Sequence, residues 1–113
     1  MATKGTSFKK VTFIIPKFDN DGRDLSAERV ELESDLTRQL NGWTRSEVAG
    51  EWRDEVWTTY RDQSWAYFVL IEDNEQGDHF LTILKRCLSD FKRKTRQETI
   101  YLDVATGVKV DFV

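Results

Sequence analysis

The stretch SWAYFVLIE, residues 64–72, decides the fold because apolar side chains alternate onto both of its faces. One face carries Trp65, Tyr67, Val69 and Ile71, and the other carries Ala66, Phe68 and Leu70. A strand that is apolar on both faces lies at the centre of a sheet and is covered on each side. We therefore predict a central strand here and work outward from it.

Upstream, the pattern predicts a strand and then a helix. FKKVTFII, residues 8–15, alternates Val11, Phe13 and Ile15 onto one face, and Pro16, which lacks an amide donor, ends it. Ser26 is a typical helix N-cap, and a leucine stripe predicts a helix as far as Leu40. Residues 43–52 fit neither the apolar spacing of a helix nor that of a strand. Residues 56–60 predict a short strand outside the main sheet.

Downstream, we predict a second helix and two more strands. Apolar residues from Phe80 to Phe91 follow helical spacing, and Asp78 is the expected N-cap. Residues 99–104 predict a strand. Thr106-Gly107 predicts a turn into an extra C-terminal strand, residues 108–112.

This order of elements predicts an α+β fold, the ferredoxin-like βαββαβ antiparallel sheet with two helices on one face and an extra C-terminal strand. The 113 residues fit a single domain, with residues 1–7 flexible. We assign the Trp65 face to the helix-free side. That face must then be covered by residues 43–60, by a second copy in a sheet-to-sheet homodimer, or by a ligand or partner.

Composition argues against several classes of function. Cys87 is the single cysteine, which excludes an internal disulfide and fits a reducing compartment. No apolar run is long enough to span a bilayer, and residues 1–16 contain no signal-peptide stretch, so we expect a cytoplasmic protein away from membranes. Residues 18–78 carry 16 acidic and 6 basic side chains, which disfavours nucleic acid. Without zinc-ligand spacing, a catalytic triad or a phosphate loop, we expect no metal, no cofactor and no catalysis.

Aromatic and arginine side chains crowd residues 50–65, and such side chains dominate protein interfaces. The candidate partner-binding residues are Trp52, Arg53, Trp57, Tyr60, Arg61 and Trp65. They predict a non-enzymatic protein-binding module, such as a phage-type inhibitor or regulatory adaptor that occludes a macromolecular partner. Aromatic residues on strands are also typical of a core, so the sequence leaves open which tryptophans are contact surface.

An alternative is a pocket for a small molecule or nucleotide, in the manner of dimeric α+β barrels. Its predicted lining is Trp43, Trp52, Trp65 and Tyr67. His79, the only histidine, or Arg53 would orient a polar group of the ligand.

Two short motifs carry a family resemblance. Gly50-Glu51-Trp52-Arg53 and Gln97-Glu98-Thr99-Ile100 resemble the Gly-x-Trp-Arg stretch and the Gln-Glu-Ser/Thr-Val/Ile strand start of a family of small bacterial proteins of unknown function. The similarity spans residues 8–104. It implies a ferredoxin-like fold and no particular reaction, and it singles out a cluster of Trp52, Arg53, Gln97 and Glu98.

Overall fold

The computed structural model describes residues 7–40 and 42–113, without the side chain of Trp52. The elements are β1 (Ser7–Pro16), α1 (Ser26–Leu40), β2 (Thr44–Arg53), β3 (Thr59–Glu72), α2 (Glu75–Thr95) and β4 (Tyr101–Lys109). The strands form one antiparallel sheet in the order β2-β3-β1-β4. The predicted α+β ferredoxin-like fold is confirmed. The segment predicted to be flexible, 1–7, lies outside the described residues except for Ser7, which pairs with Lys109.

The helices begin where side chains satisfy free amides. The Asp24 carboxylate accepts a hydrogen bond from the Ser26 amide at 2.7 Å, and α1 follows. The Asn74 side chain accepts one from the Gly77 amide at 2.9 Å, so α2 is capped at Asn74 and the prediction of Asp78 was wrong. Asn74 precedes the predicted cap because the chain leaves β3 directly into the helix.

The apolar core lies between the helices and the Trp65 face of the sheet, so the prediction that this face is helix-free was wrong. Phe13 pairs with Tyr67 and Ile15 with Trp65, which places the two sets of side chains on one face. This face is buried against leucines and a phenylalanine of the helices: Leu32, Leu36, Leu84, Leu88 and Phe91. The open face carries the other set instead, with Phe68, Leu70 and Tyr101 among its apolar side chains.

The β2–β3 hairpin differs most from prediction. Residues 44–53, ambiguous in sequence, form one continuous strand. Residues 56–60 are not a separate strand, because residues 54–58 make the turn and β3 begins at Thr59. β1 pairs with β3 only from Ser64 onward, so residues 49–63 form a two-stranded extension, here called the arm. This hairpin therefore extends the sheet and does not cover its open face.

The predicted extra C-terminal strand is absent from the described residues, because β4 runs unbroken from Tyr101 to Lys109. Gly107 has a φ of 67° and lies where the β1–β4 register shifts, as in a β-bulge. Val108 therefore pairs with Phe8 in the same strand, and Phe112 packs edge-on against Phe8 with centroids 6.5 Å apart. Neither α1 nor α2 has a long enough apolar run to cross a membrane, and no other described segment forms such a helix.

Candidate functional site

A small groove opens where β1 passes into α1. We call it the Trp65 groove; it encloses about 90 Å³ and is lined by Lys17, Phe18, Asp24, Ser26, Arg29 and Trp65 among others. Pro16 ends β1, and the loop turns back because the Asp19 carboxylate accepts hydrogen bonds from the amides of Asp21 and Arg23 at 2.9 and 2.8 Å. The Leu25 amide donates to the Lys17 carbonyl at 3.0 Å and Phe18 pairs with Asp24, so the turn brings Lys17 and Asp24 to the same groove.

Positive charges surround the Trp65 ring. The Lys17 ammonium lies 4.5 Å from the ring centroid, and the guanidinium carbons of Arg45 and Arg29 lie 4.6 and 5.4 Å from it. Lys17 also pairs with Glu47 at 3.1 Å. Hydrogen bonds from the side chain and the amide of Ser26 lower the pKa of Asp24, which keeps a negative charge at the groove. The groove thus presents both signs of charge beside an aromatic wall.

A buried carboxylate binds two of these cations. Glu33, only 9% exposed, accepts hydrogen bonds from the Tyr67 hydroxyl at 2.6 Å, from Arg29 at 3.1 and 3.2 Å, and from Arg45. Burial raises the pKa of Glu33, but the bonds from Tyr67, Arg45 and Arg29 outweigh burial and leave that pKa below its ordinary value. Burial and the Glu33 bond raise the pKa of Tyr67. At neutral pH Glu33 is therefore ionised and Tyr67 protonated, and both fix geometry.

The predicted pocket residues are partly brought together. Trp43 contacts Tyr67 edge-on with centroids 5.7 Å apart, and its indole N–H donates to the Thr37 hydroxyl at 2.9 Å. Tyr67 stacks on Phe13 at 5.0 Å and is buried, so these rings pack the core around the groove. His79 is exposed near the start of α2, beside Phe80, and the side chain of Trp52 is outside the described residues.

The candidate partner-binding residues separate into two places. Trp65 lines the groove, whereas Arg53, Trp57, Tyr60 and Arg61 lie on the arm. Trp57 is 72% exposed at the turn, with a φ of 66°, and the Arg53 guanidinium lies 4.5 Å from its ring centroid. Arg61 lies 3.7 Å from Glu51 across the ladder.

The turn at the end of the arm is organised by one carboxylate. Asp54 accepts hydrogen bonds from the amides of Val56 and Thr58 at 3.0 and 2.9 Å and from the Tyr60 hydroxyl at 3.1 Å. These bonds hold Trp57 in its left-handed backbone conformation, and Val56 beside it is 77% exposed. The arm therefore ends in a fixed apolar tip.

The cluster implied by the family resemblance is not formed. Arg53 is the last residue of β2, at one edge of the sheet, whereas Gln97 and Glu98 precede β4, at the other edge. The Gln97 amide donates to the Lys92 carbonyl at 3.0 Å, so Gln97 serves to close α2.

Sequence reasoning missed four residues that line the groove, Lys17, Phe18, Asp24 and Arg29, and the ion pair of Glu33 and Arg45 beside it. One signal was readable, because Glu33 lies three residues before Leu36 and seven before Leu40 and so shares their buried helix face. Within the described residues, no three His, Cys, Asp or Glu side chains are grouped to hold a metal ion. Burial raises the pKa of the Cys87 thiol, which disfavours its use as a nucleophile.

Comparisons with known proteins identify the fold. No protein-family model matches the chain, and no curated protein sequence is significantly similar to it. A phage S-adenosylmethionine (SAM) lyase, solved with S-methyl-5′-thioadenosine, is similar in structure, with a TM-score of 0.68 and 11% identity over 98% of this chain and 91% of the lyase. Its apo form matches with a TM-score of 0.64 at 10% identity, over 98% and 89% of the two chains.

The divalent ion tolerance protein CutA1 from Ehrlichia chaffeensis is also similar, with a TM-score of 0.58 and 6% identity over 94% of this chain and 86% of CutA1. At these identities the likeness concerns the fold alone. It agrees with the ferredoxin-like arrangement of the four strands and two helices.

Proposed function

We propose that this protein binds SAM, or a closely related adenosyl sulfur compound, in the Trp65 groove. The observation that carries the proposal is the meeting of Lys17, Arg29 and Asp24 beside the Trp65 ring. The amino-acid end of SAM carries a carboxylate and an ammonium, and these match the two cations and the one anion of the groove.

The charges also set the orientation of the ligand. Lys17 and Arg29 line the groove, so the carboxylate end of SAM belongs against them. A cavity of about 90 Å³ accommodates that end alone. The adenosyl group then extends outward past the exposed ring of Phe18, a face on which an adenine can stack. The fold shared with the phage SAM lyase supports this choice of ligand class.

Calorimetric titration with SAM and with S-methyl-5′-thioadenosine, which lacks the amino-acid end, tests the proposal. Lys17→Met should weaken SAM binding about 10–100-fold, the range expected for one charge-assisted hydrogen bond, and should leave S-methyl-5′-thioadenosine unaffected. Lys10→Met is the matched control, because Lys10 lies 4.6 Å from the Phe68 ring on the open face. Absence of saturable binding of SAM at 1 mM, or equal loss with both lysine variants, would reject the proposal.

The same samples distinguish a SAM-binding protein from a lyase. Chromatography of SAM incubated with the protein would detect released S-methyl-5′-thioadenosine. Release that depends on Lys17 extends the proposal from binding to cleavage, whereas unchanged SAM confines it to binding.

The second candidate function is contact with a protein partner through the arm, for which the exposed Trp57 is the supporting observation. An inhibitor or adaptor would occlude its partner with this tip. Trp57→Gly tests it, because a φ of 66° suits glycine and the turn should persist while the contact is lost. Proteins captured from a host lysate by the wild type but not by the variant support this function, whereas identical capture opposes it.

The predicted sheet-to-sheet homodimer would bury the open face, where Leu70 is 36% and Tyr101 56% exposed. Leu70→Lys should then shift the sedimentation coefficient from dimer to monomer. A wild-type protein that sediments as a monomer at 100 µM would eliminate this dimer.

A further inference from the structure

A second groove lies between α2 and β4, on the side of the molecule away from β2. It encloses about 260 Å³ and is lined by Lys85, Leu88, Ser89, Lys92, Ile100 and Leu102. Its floor is apolar, and the two lysines lie on the α2 side. Because β4 is an edge strand, the groove is bounded by a strand edge that pairs with nothing in the described sheet. We call it the α2–β4 groove.

The tip of the arm has the complementary properties. Val56 and Trp57 are exposed at the end of a two-stranded ladder that extends beyond the part of β3 paired with β1. Glu55 is exposed next to them. Residues 51–62 carry four acidic and two basic side chains, whereas residues 85–96 carry six basic and one acidic. An acidic, apolar projection and a basic, apolar groove therefore belong to the same chain.

The backbone at Trp57 adds an independent indication. The backbone of Trp57 has a φ of 66°, a conformation that glycine adopts more easily than a residue with a bulky side chain. Most of the Trp57 side chain is nevertheless in solvent. Strained positions of this kind are concentrated at functional sites. The strain directs an indole outward, where it can enter a groove on another molecule.

We propose that the arm tip of one copy docks in the α2–β4 groove of a second copy, with Trp57 over Leu88 and Leu102 and with Glu55 near Lys85 and Lys92. This inference rests on the second candidate function, in which the arm contacts protein, and it names the partner. Tip and groove are different surfaces, so the contact is head-to-tail and joins copies into a closed ring or a chain.

Two variants test the contact, each damaging one half of it. Trp57→Gly removes the tip and leaves the groove intact, and Lys85→Glu with Lys92→Glu reverses the rim charge and leaves the tip intact. Each variant should dissociate at least about 30-fold more readily than the wild type in sedimentation velocity, as for an interface hot spot. Val30→Lys, on the exposed surface of α1, is the control and should associate like the wild type.

Mixing the two variants is the decisive experiment. The mixture contains one intact tip and one intact groove, so it should form a 1:1 heterodimer and nothing larger. Adding Glu55→Lys to the reversed-rim chain should restore its self-association through the swapped charges. A mixture that stays monomeric while the wild type associates would overturn the proposal.

A wild type that is monomeric at 100 µM would also overturn it. In that case, lysate capture that still depends on Trp57 leaves the arm as a contact for a different protein. The two failures are thereby distinguished.

Discussion

Replacing Glu33 by glutamine should destabilise the protein by about 2–4 kcal/mol at pH 7. The carboxylate receives hydrogen bonds from Tyr67, Arg29 and Arg45, and bonds to a charged group contribute about 1.5–3 kcal/mol each. Glutamine retains one acceptor and turns an amide toward the arginines. The side chains of Arg29 and Arg45 are 17% and 30% exposed, so water recovers part of the loss.

The stability contributed by Glu33 should decrease in acid. The pKa of Glu33 in the folded chain lies below its ordinary value of 4.5. Its contribution is therefore fully present above about pH 4.5 and is lost as the pH falls through the lower, folded pKa. Glutamine does not titrate, so the difference in unfolding free energy between wild type and variant should narrow in acid.

Urea unfolding followed by tryptophan fluorescence at pH 7 and at pH 3 measures both effects, because Trp43 and Trp65 lie beside the network. Glu31→Gln is the matched control. Glu31 lies on the surface of α1, the helix that contains Glu33, and pairs with Lys94 of α2. Loss of this exposed ion pair should cost less than about 1 kcal/mol. If Glu33→Gln were as stable as this control at pH 7, the network would not stabilise the fold. If the deficit in unfolding free energy persisted unchanged at pH 3, the charge of Glu33 would not be its source.

Two further substitutions test local geometry by thermal unfolding. Gly77→Ala should lower the free energy of unfolding by several kcal/mol, because a Cβ there would meet the Glu72 carbonyl oxygen at 1.7 Å. Gly50→Ala is the control and should be tolerated, because a Cβ there would meet no atom within 4 Å. Equal effects of the two substitutions would contradict the described start of α2. Asp54→Ala removes the acceptor of three hydrogen bonds in the exposed arm turn and should cost about 1–2 kcal/mol, and an unchanged melting temperature would show that the turn does not depend on this carboxylate.

The helices and the central strands were predictable because their apolar spacing is strong. The face of β3 was not, since a strand that is apolar on both sides does not indicate which side the helices cover. Pairing of Phe13 with Tyr67 resolves it, and that contact joins residues far apart in the chain. The role of Glu33 was not predicted for a related reason, because its partners Tyr67 and Arg45 belong to β3 and β2.

The hairpin was missed for a different reason. β2 is an edge strand that buries little apolar surface, and it has few large apolar residues. Its sequence therefore shows neither the apolar spacing of a helix nor that of a strand. Residues 56–60 have strand-like composition, yet hydrogen bonds to Asp54 make the turn among them. Composition drew attention to the residues of the arm without indicating their backbone conformation, because exposed β-branched and aromatic side chains occur on strands and at strained turns alike.

The adjacency of β1 and β4 has a consequence for how the chain folds. The β2–β3 hairpin closes between residues as near as Arg53 and Thr59, and such local pairing needs little loop-closure entropy. Pairing of Val11 with Val104 instead requires almost the whole chain to be present. During synthesis the hairpin can therefore form early, while one edge of central β1 stays unpaired until residues 101–109 have left the ribosome.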